Sequence, residues 1–165
     1  MDNSTSGSTL IIERTFDAPR QLVWDVWTKP EHCMKWWGAR VVTCPVAKID
    51  FRVGGKYHLC MNCPMPDGSV VEVWSTGYYK EINPIEKIVC TDSFADAEGN
   101  IVSGEHYGVE DFPMEVEVVI QFDDLGGKTR MILHHHSLPD SMKSDCEVGW
   151  NESFDKMSEL LDSLK

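Results

Sequence analysis

The sequence predicts an α+β domain in which a curved run of antiparallel strands receives one long C-terminal helix. Three observations carry this expectation. Residues 114–122 alternate strictly, with Met114, Val116, Val118, Ile120 and Phe122 against Glu115, Glu117, Val119 and Gln121, the period-2 pattern of a half-buried strand. Cys146 to Lys165 instead places Trp150, Phe154, Met157, Leu161 and Leu164 at helical spacing, with Leu160 widening the stripe and Glu152, Asp155, Lys156, Glu159 and Asp162 on the other face. Helical patterns stand apart from the strands rather than alternating with them, which favours an antiparallel sheet. A helix that short is marginal alone in water, so its aromatic stripe needs the concave face of the sheet.

The elements follow in chain order. Thr9–Thr15 alternates weakly and reads as a first strand. Asp17 is expected to cap a helix over 19–28, with Pro19 in its first turn and Leu22, Val23, Val26 and Trp27 on its apolar face. Pro30 opens a second helix, 30–36, and Gly38 ends the pair. A loop and a strand fill 39–55, where Ile49 and Phe51 alternate before the Gly54-Gly55 turn. Lys56–Asn62 is a strand with Tyr57, Leu59 and Met61 on one face. Asp67-Gly68 turns the chain into a long strand, Val70–Ile82, whose Gly77 marks a bulge or a close approach. Lys87–Ala95 is the next strand. Residues 96–113 read as a long irregular segment of the kind that often carries function. After the strand at 114–122, Asp124-Leu125-Gly126-Gly127 makes a hairpin into the last strand, where Thr129, Met131, Leu133 and His135 share a face.

The length of 165 residues suits one domain, expected over 9–165 behind a disordered tail at 1–8. Net charge is −12, from 15 basic and 27 acidic residues, which argues against nucleic acid and against anionic membrane surfaces. No apolar run approaches the ~18 residues of a membrane span. No signal peptide opens the chain, so a cytoplasmic location is expected, with the six cysteines as free thiols.

A set of motifs spread along the chain supports a resemblance. Phe16-Asp17-Ala18-Pro19 leads to Val23-Trp24, then Trp27-Thr28, Pro30-Glu31-His32 and Trp36-Trp37-Gly38. Further along stand Ile49-Asp50, Gly54-Gly55-Lys56-Tyr57, Pro66-Asp67-Gly68, Gly77, Asp124 to Arg130 and Gly149-Trp150. Together they resemble the family related to the activator of heat-shock protein 90 ATPase, within the START-like superfamily that includes Bet v allergens and polyketide cyclases. The resemblance spans about residues 9–164. It implies a helix-grip fold: six or seven antiparallel strands gripping the C-terminal helix, with a cavity between them. It implies, as partner, a small hydrophobic molecule in that cavity, or else a heat-shock protein 90-type chaperone. An enzyme of the cyclase or dehydratase type is a further alternative. A shared fold does not transfer a reaction.

On that fold the candidate cavity residues are Trp36, Trp37, Tyr57, Trp74, Tyr79, Phe94, Tyr107, Phe112, His135, Trp150, Phe154 and Met157. Ordinary core packing is the alternative reading for each aromatic residue, and Trp24 and Trp27 are expected as core or end-cap residues. Within His134-His135-His136, pleating sends His135 to the face of Met131 and Leu133, where it would be a titratable group among apolar ones. Asp92 shares a side with Ile88, Cys90 and Phe94. A buried carboxylate beside His135 would make an acid–base pair, and these two are the catalytic candidates for the enzymatic reading. Cys60-Met61-Asn62-Cys63 is a CxxC at a strand end without the helix that redox use requires, and ordinary thiols are expected. No nucleophile motif, phosphate loop or dinucleotide fingerprint is present, and neither a cofactor nor a metal is expected.

Overall fold

Leu10, Ile12 and Phe16 demand one buried face, and they obtain it in β1 (Ser8–Phe16). The structure, a computed structural model, describes residues 8–165. The expected tail therefore lies outside the described residues except for Ser8, which is part of the strand. Two helices follow, α1 (Arg20–Thr28) and α2 (Pro30–Trp36). Asp17 does not cap α1: Pro19 occupies the cap position, two residues beyond the reach of that carboxylate, which instead faces the Lys165 ammonium at 3.5 Å.

Six more strands complete the sheet: β2 (Thr43–Ile49), β3 (Lys56–Pro64), β4 (Val70–Asn83), β5 (Lys87–Ala95), β6 (Val116–Asp124) and β7 (Thr129–Leu138). Their order is β1-β7-β6-β5-β4-β3-β2, and every neighbouring pair is antiparallel. The last element, α3 (Asp140–Leu164), lies against this sheet. It begins six residues before the expected start, because Asp140 to Asp145 carry no apolar stripe for periodicity to detect. Three other boundaries differ from expectation. Phe51 lies beyond β2 yet packs on Trp24 and Tyr79. Met114 precedes β6 and is exposed. The irregular segment after β5 holds a 3-10 turn, Gly104–Tyr107, and a bridge between Ala95 and Ile101.

The core sits between the concave face and the helices. Val118, Ile120 and Phe122 of β6 and Met131 and Leu133 of β7 meet Phe154, Met157 and Leu161 of α3 and Val23, Val26 and Trp36 of α1 and α2. Burial of each such side chain contributes about 1.5–3 kcal/mol, enough to hold a helix that is unstable alone. Gly77 is a close approach rather than a bulge: a Cβ there would collide with the Thr91 carbonyl and with the Tyr57 ring. Its absence lets β4 and β5 pair while Tyr57 lies across them.

Candidate functional site

Between sheet and α3 the packing is incomplete. An inner recess of about 40 Å³ lies among Trp27, Tyr57, Leu59, Tyr79 and Cys90. A larger outer chamber of about 290 Å³ is walled by Trp37, Phe94, Phe112 and Trp150, close to the lower end of small-molecule sites (roughly 300–1,000 Å³). Trp37, Asp92 and Trp150 line both, so the two spaces meet at these three side chains. Trp37 and Trp150 stand edge to face there, with ring centroids 5.5 Å apart.

The reason for the gap is legible on α3. Cys146, Gly149 and Ser153 face the chamber at helical spacing, and all are small. Further along, Phe154, Met157, Leu160 and Leu161 are large and fill the space completely. The opposite wall comes from inward-facing residues of β3 to β5, among them Met61, Cys63, Val73, Ser75 and Phe94. The segment 38–42 closes one side. It is strapped to α3 by Lys156, whose Nζ donates to the carbonyls of Ala39 and Val42 at 3.0 Å each, and by Arg40, whose guanidinium meets Glu159 at 2.8 Å.

Few polar groups enter this apolar space. His135 on β7 is 5% exposed. The Trp150 indole N–H donates to its Nδ1 at 3.0 Å, and its Nε2 is buried without a partner. Burial, and secondarily the neighbouring His136, pushes the imidazole down to about 4. Ser75 Oγ is likewise buried and unpartnered. Asp92 is pushed up to about 6 by burial, against the opposing pull of hydrogen bonds from Tyr57 and the Ser93 backbone. The Tyr57 hydroxyl lies 2.7 Å from the Thr91 carbonyl and 3.0 Å from Asp92 Oδ1. One phenolic proton cannot serve both acceptors fully, so Asp92 receives at most a shared hydrogen bond from Tyr57. Burial and the Asp92 charge also raise the Tyr57 phenol well above its ordinary range.

Of the residues expected at a cavity, Trp37, Tyr57, Tyr79, Phe94, Phe112, His135 and Trp150 line one or both spaces, together with Asp92. Five do not. Trp36, Phe154 and Met157 are fully buried in the core, Trp36 with its indole N–H donated to the Val26 carbonyl. Trp74 points to the opposite face of the sheet and stacks on His58, with centroids 4.6 Å apart. Tyr107 packs behind Phe94 and donates to the Ala95 carbonyl. Trp27, expected as core or end-cap, lines the inner recess. Asp92 and His135 share the outer chamber without a hydrogen bond to each other: Tyr57 holds one and Trp150 the other. Cys60 and Cys63 are three residues apart on an unbroken strand, so pleating sends them to opposite faces. Ser75, Cys146, Gly149 and Ser153 also line the chamber and are absent from the residues expected there. Small residues at helical spacing just before a bulky stripe were the available signal for the last three.

Comparison with known proteins agrees with this fold. Residues 17–162 match the family described as activator of Hsp90 ATPase homolog 1-like protein. A crystal structure from Chromobacterium violaceum superposes with a TM-score of 0.76 at 24% identity, covering 93% of this chain and 96% of that one. A solution structure from Arthrobacter aurescens gives 0.76 at 23% identity, covering 98% and 90%. The AHSA1 protein from Silicibacter pomeroyi gives 0.73 at 20% identity, covering 96% and 100%. At these identities the likeness shows the fold alone. No curated protein matches the sequence. The chain belongs to the activator of Hsp90 ATPase homolog 1-like family, and its seven-stranded sheet closed on α3 is a helix-grip fold.

Proposed function

We propose that this protein binds one small, largely apolar molecule between its sheet and α3, and does not transform it. The observation that carries this reading is the outer chamber of about 290 Å³, with aromatic walls and His135 and Asp92 among its few polar lining residues. Such a chamber has the composition of a ligand site: apolar walls with a few placed polar groups. The alternative, an acid–base enzyme, is disfavoured by the state of His135. Its Nδ1 lone pair is taken by the Trp150 N–H, so the ring proton sits on Nε2 and no free basic nitrogen faces the chamber.

The test is a titration with N-phenyl-1-naphthylamine, a neutral probe that fluoresces in apolar surroundings. Saturable enhancement is expected in the native protein. It should be lost in Gly149→Leu, where an open Cβ position on α3 directs the new side chain into the chamber. Absence of enhancement in the native protein, or equal enhancement in a folded Gly149→Leu variant, overturns the reading.

A further inference from the structure

We infer that the ligand carries one protonated amine on an apolar body, with the ammonium seated against the Asp92 carboxylate where the inner recess meets the outer chamber. This rests on the ligand-binding reading above and adds the chemical class of the ligand.

Asp92 is placed to meet a ligand. It lies on the inward face of β5, is half-buried rather than sealed, and forms part of the wall of both spaces. Its Oδ1 is 3.0 Å from the Tyr57 hydroxyl, and among the described residues no other side chain bonds to the carboxylate. That hydroxyl is shared with the Thr91 carbonyl, so most of the acceptor capacity of Asp92 is left over. Among the described residues that line the two spaces there is no Lys or Arg, and Lys156 of α3 is tied to the carbonyls of Ala39 and Val42. The carboxylate therefore lacks a positive partner: burial pushes it up to about 6, and no cation pulls it back. At pH 7 it is nonetheless mostly ionised.

The rest of the wall is uncharged at that pH. Burial raises the thiols of Cys90 on β5, Cys63 on β3, Cys146 on α3 and Cys33 on α2. It raises the phenols of Tyr57 and Tyr79 as well. His135 on β7 is kept neutral by its fall to about 4. From β6 the neighbours are Val116 and Val118, while Glu117 turns to the other face of the sheet and pairs with Lys80. Asp92 is thus the single charge in the wall.

A lone carboxylate in apolar surroundings sorts ligands by charge. An anion meets repulsion, and a neutral molecule leaves the charge uncompensated. An ammonium gains an attraction that the low-dielectric wall strengthens, and only its own water remains to be stripped, because Asp92 lost much of its hydration on folding. Trp37 and Trp150 stand at the same junction, and indole faces also favour a cation. The apolar chamber beyond receives the rest of the molecule.

Isothermal titration calorimetry should compare 2-(aminomethyl)naphthalene with 2-naphthalenemethanol, which puts a hydroxyl in place of the ammonium on the same skeleton. The buffer holds about 0.15 M NaCl, which screens exposed charge beyond about 8 Å. At pH 8 the amine is expected to bind at least about tenfold more tightly than the alcohol. From pH 8 to pH 5 the amine should weaken, because a proton displaces it from Asp92 as pH falls through about 6, while the alcohol stays level. Asp92→Asn should cut the preference to about threefold or less without weakening the alcohol. Equal or tighter binding of the alcohol to the native protein at pH 8, or a level pH profile for the amine, overturns the inference and leaves the ligand-binding reading standing. A preference that survives in folded Asp92→Asn also overturns it, since it then comes from the acidic surface of a chain with net charge −12. If that variant does not fold, the two comparisons in the native protein decide. Failure of both probes to bind overturns both readings.

Discussion

The indole N–H of Trp150 on α3 donates to Nδ1 of His135 on β7 across 3.0 Å. This bond joins the helix to the sheet at the edge of the chamber and decides which ring nitrogen carries the proton. Long-range proton–nitrogen NMR spectra should therefore find His135 wholly in its Nε2–H form at neutral pH. In Trp150→Phe the constraint is gone, and a mixture of tautomers is expected.

Two titrations in this cavity oppose each other. The imidazole of His135 falls from the ordinary 6.5 to about 4, so between those values the unfolded chain binds a proton that the native protein does not, and stability rises with pH. Asp92 rises from 3.8 to about 6, so over nearly the same window the native protein holds the extra proton, and stability falls with pH. Each effect amounts to about 3 kcal/mol over the window and they nearly cancel. Urea denaturation at pH 4 to 6 should find a shallow native profile. His135→Phe should lose stability as pH rises through that range, and Asp92→Asn should gain it.

Gly149 occupies the interior of α3 with open space around its missing Cβ. Gly149→Ala should raise stability by about 0.5–1 kcal/mol in urea denaturation, because alanine loses less chain entropy on entering a helix. One methyl group should leave most of the chamber volume intact, so probe binding should change less than in Gly149→Leu.

Lys156 makes two charged hydrogen bonds that tie residues 39–42 to α3. Lys156→Met keeps the aliphatic stem and removes the strap. A loss of about 1–2 kcal/mol is expected. Amide exchange at residues 38–42 should accelerate, and alkylation of the chamber thiols Cys63 and Cys146 should quicken, while the exchange rates of β6 stay unchanged.

Gly77→Ala should be among the most damaging single-methyl changes in this protein. The added Cβ meets the Thr91 carbonyl and the Tyr57 ring, so β4 and β5 must separate or Tyr57 must leave Asp92. A loss of about 1–3 kcal/mol is expected in thermal or urea denaturation.

The fold was written plainly in the sequence, and the site only partly. Alternation and helical spacing located β6, β7, α1, α2 and the bulky half of α3, because those patterns exist to bury one face. Periodicity says which face is buried but not how far a side chain stands from its neighbours. Trp36 and Trp37 look alike in sequence, yet one is sealed in the core and the other stands at the junction of recess and chamber. The face of Trp74 is not legible, because residues 70–82 contain no clean alternation to assign it. The partners of His135 and Asp92 lie 15 and 35 residues away along the chain, on other elements, and spacing does not encode them.

The two halves of α3 are unequally anchored. Every buried residue of this helix lies between Ser153 and Leu161, and the turns from Asp140 to Trp150 have none. Fraying from the Asp140 end therefore breaks few apolar contacts, whereas parting the sheet breaks a continuous ladder. Trp150 is where this lightly packed half of α3 is fastened, through its bond to His135 and its ring contacts with Trp27, Trp37 and Phe154.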